Sequence, residues 1–324
     1  MLSVYTAGAR GLQRSVVPAG TPIPDDAVWL DLLEPSVEEE RQVEQALGID
    51  VPTREEMREI ETSNRLYEDN GALYMTSTVL TKADTPVPET TQVTFILTGS
   101  RLVTNRYADL LAFRHFATFA ETHPAVCSSA SLLLTGLLEA IVNRVADVLE
   151  RVGAEIDGSS LRVFPRGAAL RAARHDYQNE LRSIGQSGEL ISKARESLLS
   201  LTRLLGFLQQ SNDGKVSPEA RASTVTVSRD AAALSDHATF LVGKTQFLLD
   251  ATLGLVTIDQ NNILKIFSVV TVLLLPPSVI GAFYGMNFEH IPWLHERWGV
   301  WAALGMMVVS ALAPYLYFKS KRWL

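Results

Sequence analysis

A single cysteine, Cys127, stands in 324 residues. It cannot close an intrachain disulfide, which fits a reducing compartment. Also missing are a glycine-rich phosphate loop, a paired Cys/His metal spacing and a nucleophile elbow. Nothing in the sequence therefore argues for an enzyme or for an organic cofactor. The start, MLSVYTAGAR, lacks a cationic stretch followed by an apolar one, so no cleavable signal is expected. A net charge of −7 argues against a nucleic-acid partner. The most informative absence is local. Charged residues make up 20% of the chain, yet none occurs from Ile266 to Tyr284 or from Val300 to Phe318.

Each uncharged run is 19 residues long, enough for a helix to cross a hydrocarbon core of roughly 30 Å. The alternative is a pair of buried core helices, which are usually shorter and carry a polar face. The flanks favour a bilayer. Trp293, Trp298 and Trp301 cluster at one end, and Tyr315, Tyr317 and Trp323 at the other, as amphipathic rings do at the two interfaces. Lys265 precedes the first run, and Lys319, Lys321 and Arg322 follow the second. By the positive-inside rule both termini are cytoplasmic, and the short link YGMNFEHIPW lies outside a cytoplasmic (inner) membrane that the chain crosses twice.

Ahead of the spans, residues 1–122 read as a cytoplasmic α/β domain. AVWLDLLEP has strand character. SVEEERQVEQALG carries Ser36 as N-cap, Glu39 at the capping-box position and Gly48 as terminator, and TREEMREIE repeats the pattern with Thr53 and Glu56. Hairpins are expected around Asn70-Gly71 and Gly99-Ser100, with a proline-containing loop, KADTPVPET, between them. Residues 123–214 read as a helical hairpin broken at DGSSLRVFPRG.

Residues 215–262 read as the cytoplasmic part of a long stalk helix, with Ser217 as N-cap and Pro218 at its first position. Val227, Leu234, Leu241, Leu248 and Leu255 recur every seven residues, beside a small-residue stripe of Ala231, Ala238, Thr245 and Thr252. Such paired stripes form a seam for other helices. The pattern runs into the first span, 263–284. One helix over 218–282 would be roughly 97 Å long at 1.5 Å per residue; the alternative is two helices with a bend near Gly254. The link, 285–298, the second span, 299–318, and a basic tail, 319–324, complete the chain.

Two helices have no interior, so conduction would require several copies around an axis, each lining residue becoming a ring. Asn261, Leu264, Ser268, Thr271, Leu275 and Ser278 fall near one face of the first span, with Phe267 beside it. Apolar rings there could close a pore by dewetting. For Ser268, a hydrogen bond across helices is the simpler role. Pro276-Pro277 removes backbone donors and can bend the span. A lining without acids suits a hydrated cation. Mg²⁺ gives up its water reluctantly, and neutral carboxamide oxygens can accept the protons of its hydration shell.

YGMN at Tyr284 to Asn287, placed at the outer end of the first of two C-terminal spans, resembles the signature of the CorA family of divalent-cation (magnesium) channels. DQNNILKIFSVVTVLLLPPSVIGAFYGMNFEHIP and APYLYFKSKRWL resemble that family's membrane region. The resemblance implies a homopentameric, funnel-like channel for Mg²⁺ that also admits Co²⁺ or Ni²⁺. It implies a selectivity ring at Gly285, Met286 and Asn287, and pore or gate rings at Asn261, Leu264, Phe267, Thr271, Leu275 and Ser278. It implies a basic collar at Lys319, Lys321 and Arg322. It also implies closure by intracellular Mg²⁺ between neighbouring cytoplasmic domains, with Asp230 and Asp236 facing Asp84 or Glu89 as candidate ligands. The external link departs from the family in reading IPWL, with Trp293 where a second acid is common, so cation attraction rests on Glu289, with Glu296 further away. Two other readings stay open. One is a Zn²⁺ transporter of the ZntB branch, which His290 and His295 would suit and Met286 opposes. The other is a non-conducting membrane-anchored scaffold or metal sensor.

Overall fold

The computed structural model describes residues 1–59, 61–165, 176–211, 214–287, 291–293 and 296–321. The chain divides into two compact units, Met1–Leu249 and Asp250–Leu324.

The first unit is built on a seven-stranded sheet. Its strands are β1 (Leu2–Gly8), β2 (Gly11–Val16), β3 (Ala27–Leu33), β4 (Leu66–Asp69), β5 (Ala72–Thr81), β6 (Glu89–Thr98) and β7 (Arg101–Arg106), in the order β2-β1-β3-β7-β6-β5-β4. Only β3 and β7 run parallel. The hairpins at Asn70-Gly71 and Gly99-Ser100 form as the turn chemistry requires. Asn70 and both glycines take positive φ, where glycine meets no steric penalty and asparagine little.

One sheet face holds Leu2, Val4, Leu30, Leu32, Tyr74 and Ile96 against α1 (Val37–Leu47). The Ser36–Glu39 capping box is complete, and Gly48 ends α1 in the left-handed conformation. The second capping box also forms, since Thr53 and Glu56 exchange hydrogen bonds. It starts only a 3₁₀ turn, Glu56–Arg58, where the sequence suggested a longer helix. Glu59 is extended there, while Met57 is buried beside Asn105. Tertiary anchoring overrides local propensity at this point. A single turn, α2 (Thr62–Arg65), leads into β4.

The other face centres on Trp29, which stacks on Tyr5 at 4.2 Å and meets Phe113 and Phe116 of α3 (Leu111–Ala120). Beyond α3 lie α4 (Ala130–Val163) and α5 (Tyr177–Gln210), each 34 residues long. The expected break at DGSSLRVFPRG comes later than its glycine suggests. Gly158 is helical because Ile156, Ser159 and Val163 keep one face of α4 buried to its end; positions 166 and 167 lie outside the described residues. Helix α5 also covers the part of β5 that β4 leaves unpaired. Ser200 Oγ accepts from Thr78 N–H at 2.9 Å and Ser197 Oγ from Leu80 N–H at 3.3 Å, so an edge that would otherwise invite another strand is satisfied.

Helix α6 (Pro218–Tyr284) has 67 residues and no break at Gly254. Ser217 caps it through Ala220 N–H. Val227, Ala231, Ala238, Leu241 and Leu248 are buried, with Leu234 packed beside them. Gly188 of α5 lies where a Cβ would sit 3.2 Å from Thr245 Cγ2. The expected seam is therefore the face that α6 turns toward its own chain's helices.

In the second unit α6 continues and α7 (Gly299–Ser320) follows. Both contain windows long and apolar enough to cross a membrane, and only 6% of each window is buried. A core-helix reading fails on that exposure. Gly281 and Met307 mark a close approach of the two helices, since a Cβ at 281 would lie 2.8 Å from Met307 Cε.

Candidate functional site

The C-terminal end of α6 is tightened rather than frayed. Gly285 N–H donates to Gly281 O at 3.0 Å and Ala282 O at 3.2 Å, and Met286 N–H donates to Phe283 O at 3.3 Å. Three of the terminal carbonyls thus have partners inside the helix. A Cβ at Gly285 would approach Gly281 O to 3.3 Å, so glycine suits this last turn. Met286 and Asn287 follow immediately and are exposed. A carboxamide at a helix C-terminus adds its oxygen to a site already biased toward cations by the helix dipole.

The lining positions read from the sequence are presented together. Asn261, Leu264, Phe267, Thr271, Leu275 and Ser278 are all exposed, whereas Val269, on another face, is buried. The hydroxyls are internally occupied. Ser268 Oγ donates to Leu264 O, Thr271 Oγ1 to Phe267 O and Ser278 Oγ to Leu274 O, at 2.7–2.8 Å. Their lone pairs stay free to accept from water. Pro276 and Pro277 lie inside the helix and withdraw two backbone donors between Leu275 and Ser278.

A family model described as CorA-like Mg²⁺ transporter protein matches residues 24–322. The chain belongs to the CorA family. The magnesium transport protein CorA of Haemophilus influenzae is 34% identical over 299 residues, 92% of each chain. The complete structure of the CorA magnesium transporter from Methanocaldococcus jannaschii aligns with a TM-score of 0.77 at 18% identity, covering 100% of this chain and 99% of that one. The ZntB cytoplasmic domain from Vibrio parahaemolyticus aligns with a TM-score of 0.56 at 9% identity, over 78% of this chain and 96% of its own. The two structures speak to the fold alone.

The remaining candidate positions of this CorA chain fall in different settings. Asp230 and Asp236 are exposed on α6. Asp84 is held by Arg144 and Arg151 of α4, and Arg151 also donates to Ala83 O at 2.8 Å. The Arg151 hydrogen bond, with both guanidinium charges, outweighs desolvation and holds the Asp84 carboxyl below its ordinary value. Glu89 pairs with Lys82 at 2.8 Å. Among the described residues no three His, Cys, Asp or Glu side chains converge on a metal position. Lys319 lies 5.9 Å from the Tyr315 ring, and Lys321 caps α7. Glu289, His290, His295, Arg322 and Trp323 lie outside the described residues.

Two features went unread in the sequence. Asp31 and Arg106 form a buried bidentate pair, at 3.0 and 2.7 Å, with side chains only 4% and 6% exposed. Burial opposes the Arg106 charge, but Asp31 overcomes it and raises the guanidinium pKa. The signal was an acid in the apolar strand AVWLDLL, since a buried carboxylate demands a partner. The other feature is the left-handed turn at Trp293, whose φ is +63°. Its carbonyl accepts from Glu296 N–H, its ring lies 5.6 Å from Trp298, and a Cβ on Gly299 would sit 2.1 Å from its oxygen.

Proposed function

We propose that this chain is a Mg²⁺ channel of the inner membrane, that it works as a homopentamer with both termini cytoplasmic, and that it also admits Co²⁺ or Ni²⁺. One observation carries the reading. The GMN signature sits at the outer end of an exposed, uncharged span in a chain related to magnesium transport proteins over almost its whole length. Five copies turn Asn287 into a ring of carboxamides, set against the negative ends of five α6 helices. Gly285 and Met286 shape that ring. The Asn261, Thr271 and Ser278 rings continue a neutral polar path, and Leu264, Phe267 and Leu275 supply apolar constrictions that close by dewetting. Hydrated Mg²⁺ is the cargo this lining suits, because it passes without surrendering its inner water. The membrane potential contributes about 4.6 kcal/mol per divalent ion at 100 mV.

Glu289 attracts cations outside, and Lys319, Lys321 and Arg322 form the inner collar facing lipid headgroups. Intracellular Mg²⁺ closes the channel through Asp230 and Asp236, exposed on α6. Asp84 and Glu89 fit a metal less well than the sequence suggested, since Arg144, Arg151 and Lys82 already neutralise them. The ZntB-like reading rested on His290 and His295, and no described residue favours it.

Flux from proteoliposomes tests the proposal. Mg²⁺ should pass down an imposed gradient, with Co²⁺ at a comparable or lower rate. Passage of Zn²⁺ without Mg²⁺ would overturn it in favour of the zinc reading, and passage of neither would favour a scaffold or sensor.

A further inference from the structure

The lining positions of α6 have a spacing that does not stop at the membrane. Asn261, Ser268 and Leu275 recur every seven residues, and so do Leu264, Thr271 and Ser278. Counting the same sevens toward the N-terminus gives Gly254, Phe247 and Phe240 for the first series. It gives Thr257, Asp250, Gly243 and Asp236 for the second. Offsets of three and four between the series make them the two positions of one heptad seam. This is not the seam that faces α4 and α5, which consists of Val227, Leu234, Leu241, Leu248 and their small neighbours.

Phe240 and Phe247 break the polar and small character of the stalk part of this second seam. Both are exposed, 63% and 61%, although phenylalanine is among the residues most often buried. Gly243 between them has nothing within 4 Å of its Cβ position, so the face is open there among the described residues. Neither ring is loose. Phe247 stacks with Phe164 at the end of α4, centroids 6.2 Å apart, and Phe240 with His237 at the same distance. A solvated face would not need two supported aromatic rings one heptad apart.

We propose that the occupant of this face is the same face of other copies, and that Phe240 and Phe247 form two apolar rings around the axis on the cytoplasmic side. They would constitute a second dewetting constriction, in series with Leu264 and Phe267. The inference rests on the channel reading above and adds a gate to it. Apolar rings exclude water when close and admit it when the helices part, so this constriction would respond directly to the spacing of the stalks.

Two measurements on the full-length protein in proteoliposomes test it. In a Cys127→Ala chain, Phe247→Cys should crosslink between copies with a short bismaleimide, whereas Leu248→Cys, on the buried seam, should not. At Mg²⁺ levels that close the parent, Phe247→Asn and Phe240→Asn should raise residual Mg²⁺ flux about tenfold, as expected for wetting an apolar ring. Phe247→Leu should stay closed. Crosslinking with unchanged residual flux would reduce the face to a packing seam and overturn the gate. Absence of crosslinking would overturn the placement at the axis. A parent that carries no Mg²⁺ at all would overturn the channel reading itself, and the gate with it, which a conducting parent with silent variants would not.

Discussion

The two units of this chain solve burial in opposite ways. In Met1–Leu249 the sheet has a core on each face, Trp29 is enclosed by three aromatic rings, and the buried charges of Asp31 and Arg106 and the β5 edge at Thr78 have partners. In Asp250–Leu324 two apolar helices present nearly all of their windows to the surroundings. A unit of the first kind needs nothing outside itself to fold. One of the second kind needs an apolar environment outside itself, because an apolar surface of this size is not left in water. Stability should accordingly be governed by the core residues of the first unit and ion selection by residues of the second, with the exposed stalk positions of the first bearing on closure.

The sharpest test of that division is Asn287→Ala. Mg²⁺ uptake should fall to background, while the melting of purified protein stays within about 1 °C, as expected for an exposed substitution. Persistent uptake would remove the filter assignment. The reverse case is Arg106→Ala, which strands the Asp31 carboxylate in the core and should cost about 3–5 kcal/mol. Thermal unfolding of detergent-solubilised protein would register it, and a variant melting with the parent would show that Asp31 finds another partner. Ser200→Ala should be milder, about 1–3 kcal/mol, for leaving Thr78 N–H unpaired at the strand edge. The smallest effect concerns pH. The Asp84 carboxyl has a lowered pKa in the fold, with an ordinary value of 3.8. Its ion pairs therefore stabilise above that value and are lost as pH falls through the folded pKa. Arg151→Gln should narrow the gap between melting at pH 6 and at pH 3. An unchanged gap would mean that the exposed pair contributes nothing, as many do.

Much of the fold was legible because local chemistry and tertiary structure agree. Ser36, Glu39 and Gly48 bound α1 as their side chains demand, and Asn70-Gly71 turns a hairpin. The sevenfold stripe of Val227 to Leu248 identified the buried face of α6 before any partner helix was known. The failures lie where distant packing decides. Thr53 and Glu56 form their capping box, yet Met57 is drawn into the core and the helix stops after one turn. The break expected within DGSSLRVFPRG falls at its end: glycine costs about 1 kcal/mol in a helix, yet buried Ile156 and Val163 carry α4 through Gly158. For the candidate site, the uncharged runs and GMN drew attention to the end of α6, where Met286 and Asn287 are exposed. The choice of Asp84 as a metal ligand failed to foresee Arg144 and Arg151, which lie 60 and 67 residues away and whose approach no local pattern encodes.

The turn at Trp293 carries a consequence for how this sequence can drift. The Trp293 oxygen occupies the space that a Cβ on Gly299 would need. Every single-base change that alters a glycine codon's amino acid adds a side chain or ends translation, so position 299 has no gradual route away from glycine while this turn persists. Position 293 is the opposite case. Its left-handed backbone is one that glycine adopts more readily than tryptophan, and glycine is one base away from the tryptophan codon, so the genetic code offers relief there at the loss of the ring's contact with Trp298. The turn is thus frozen at Gly299 and held at Trp293 by an aromatic contact.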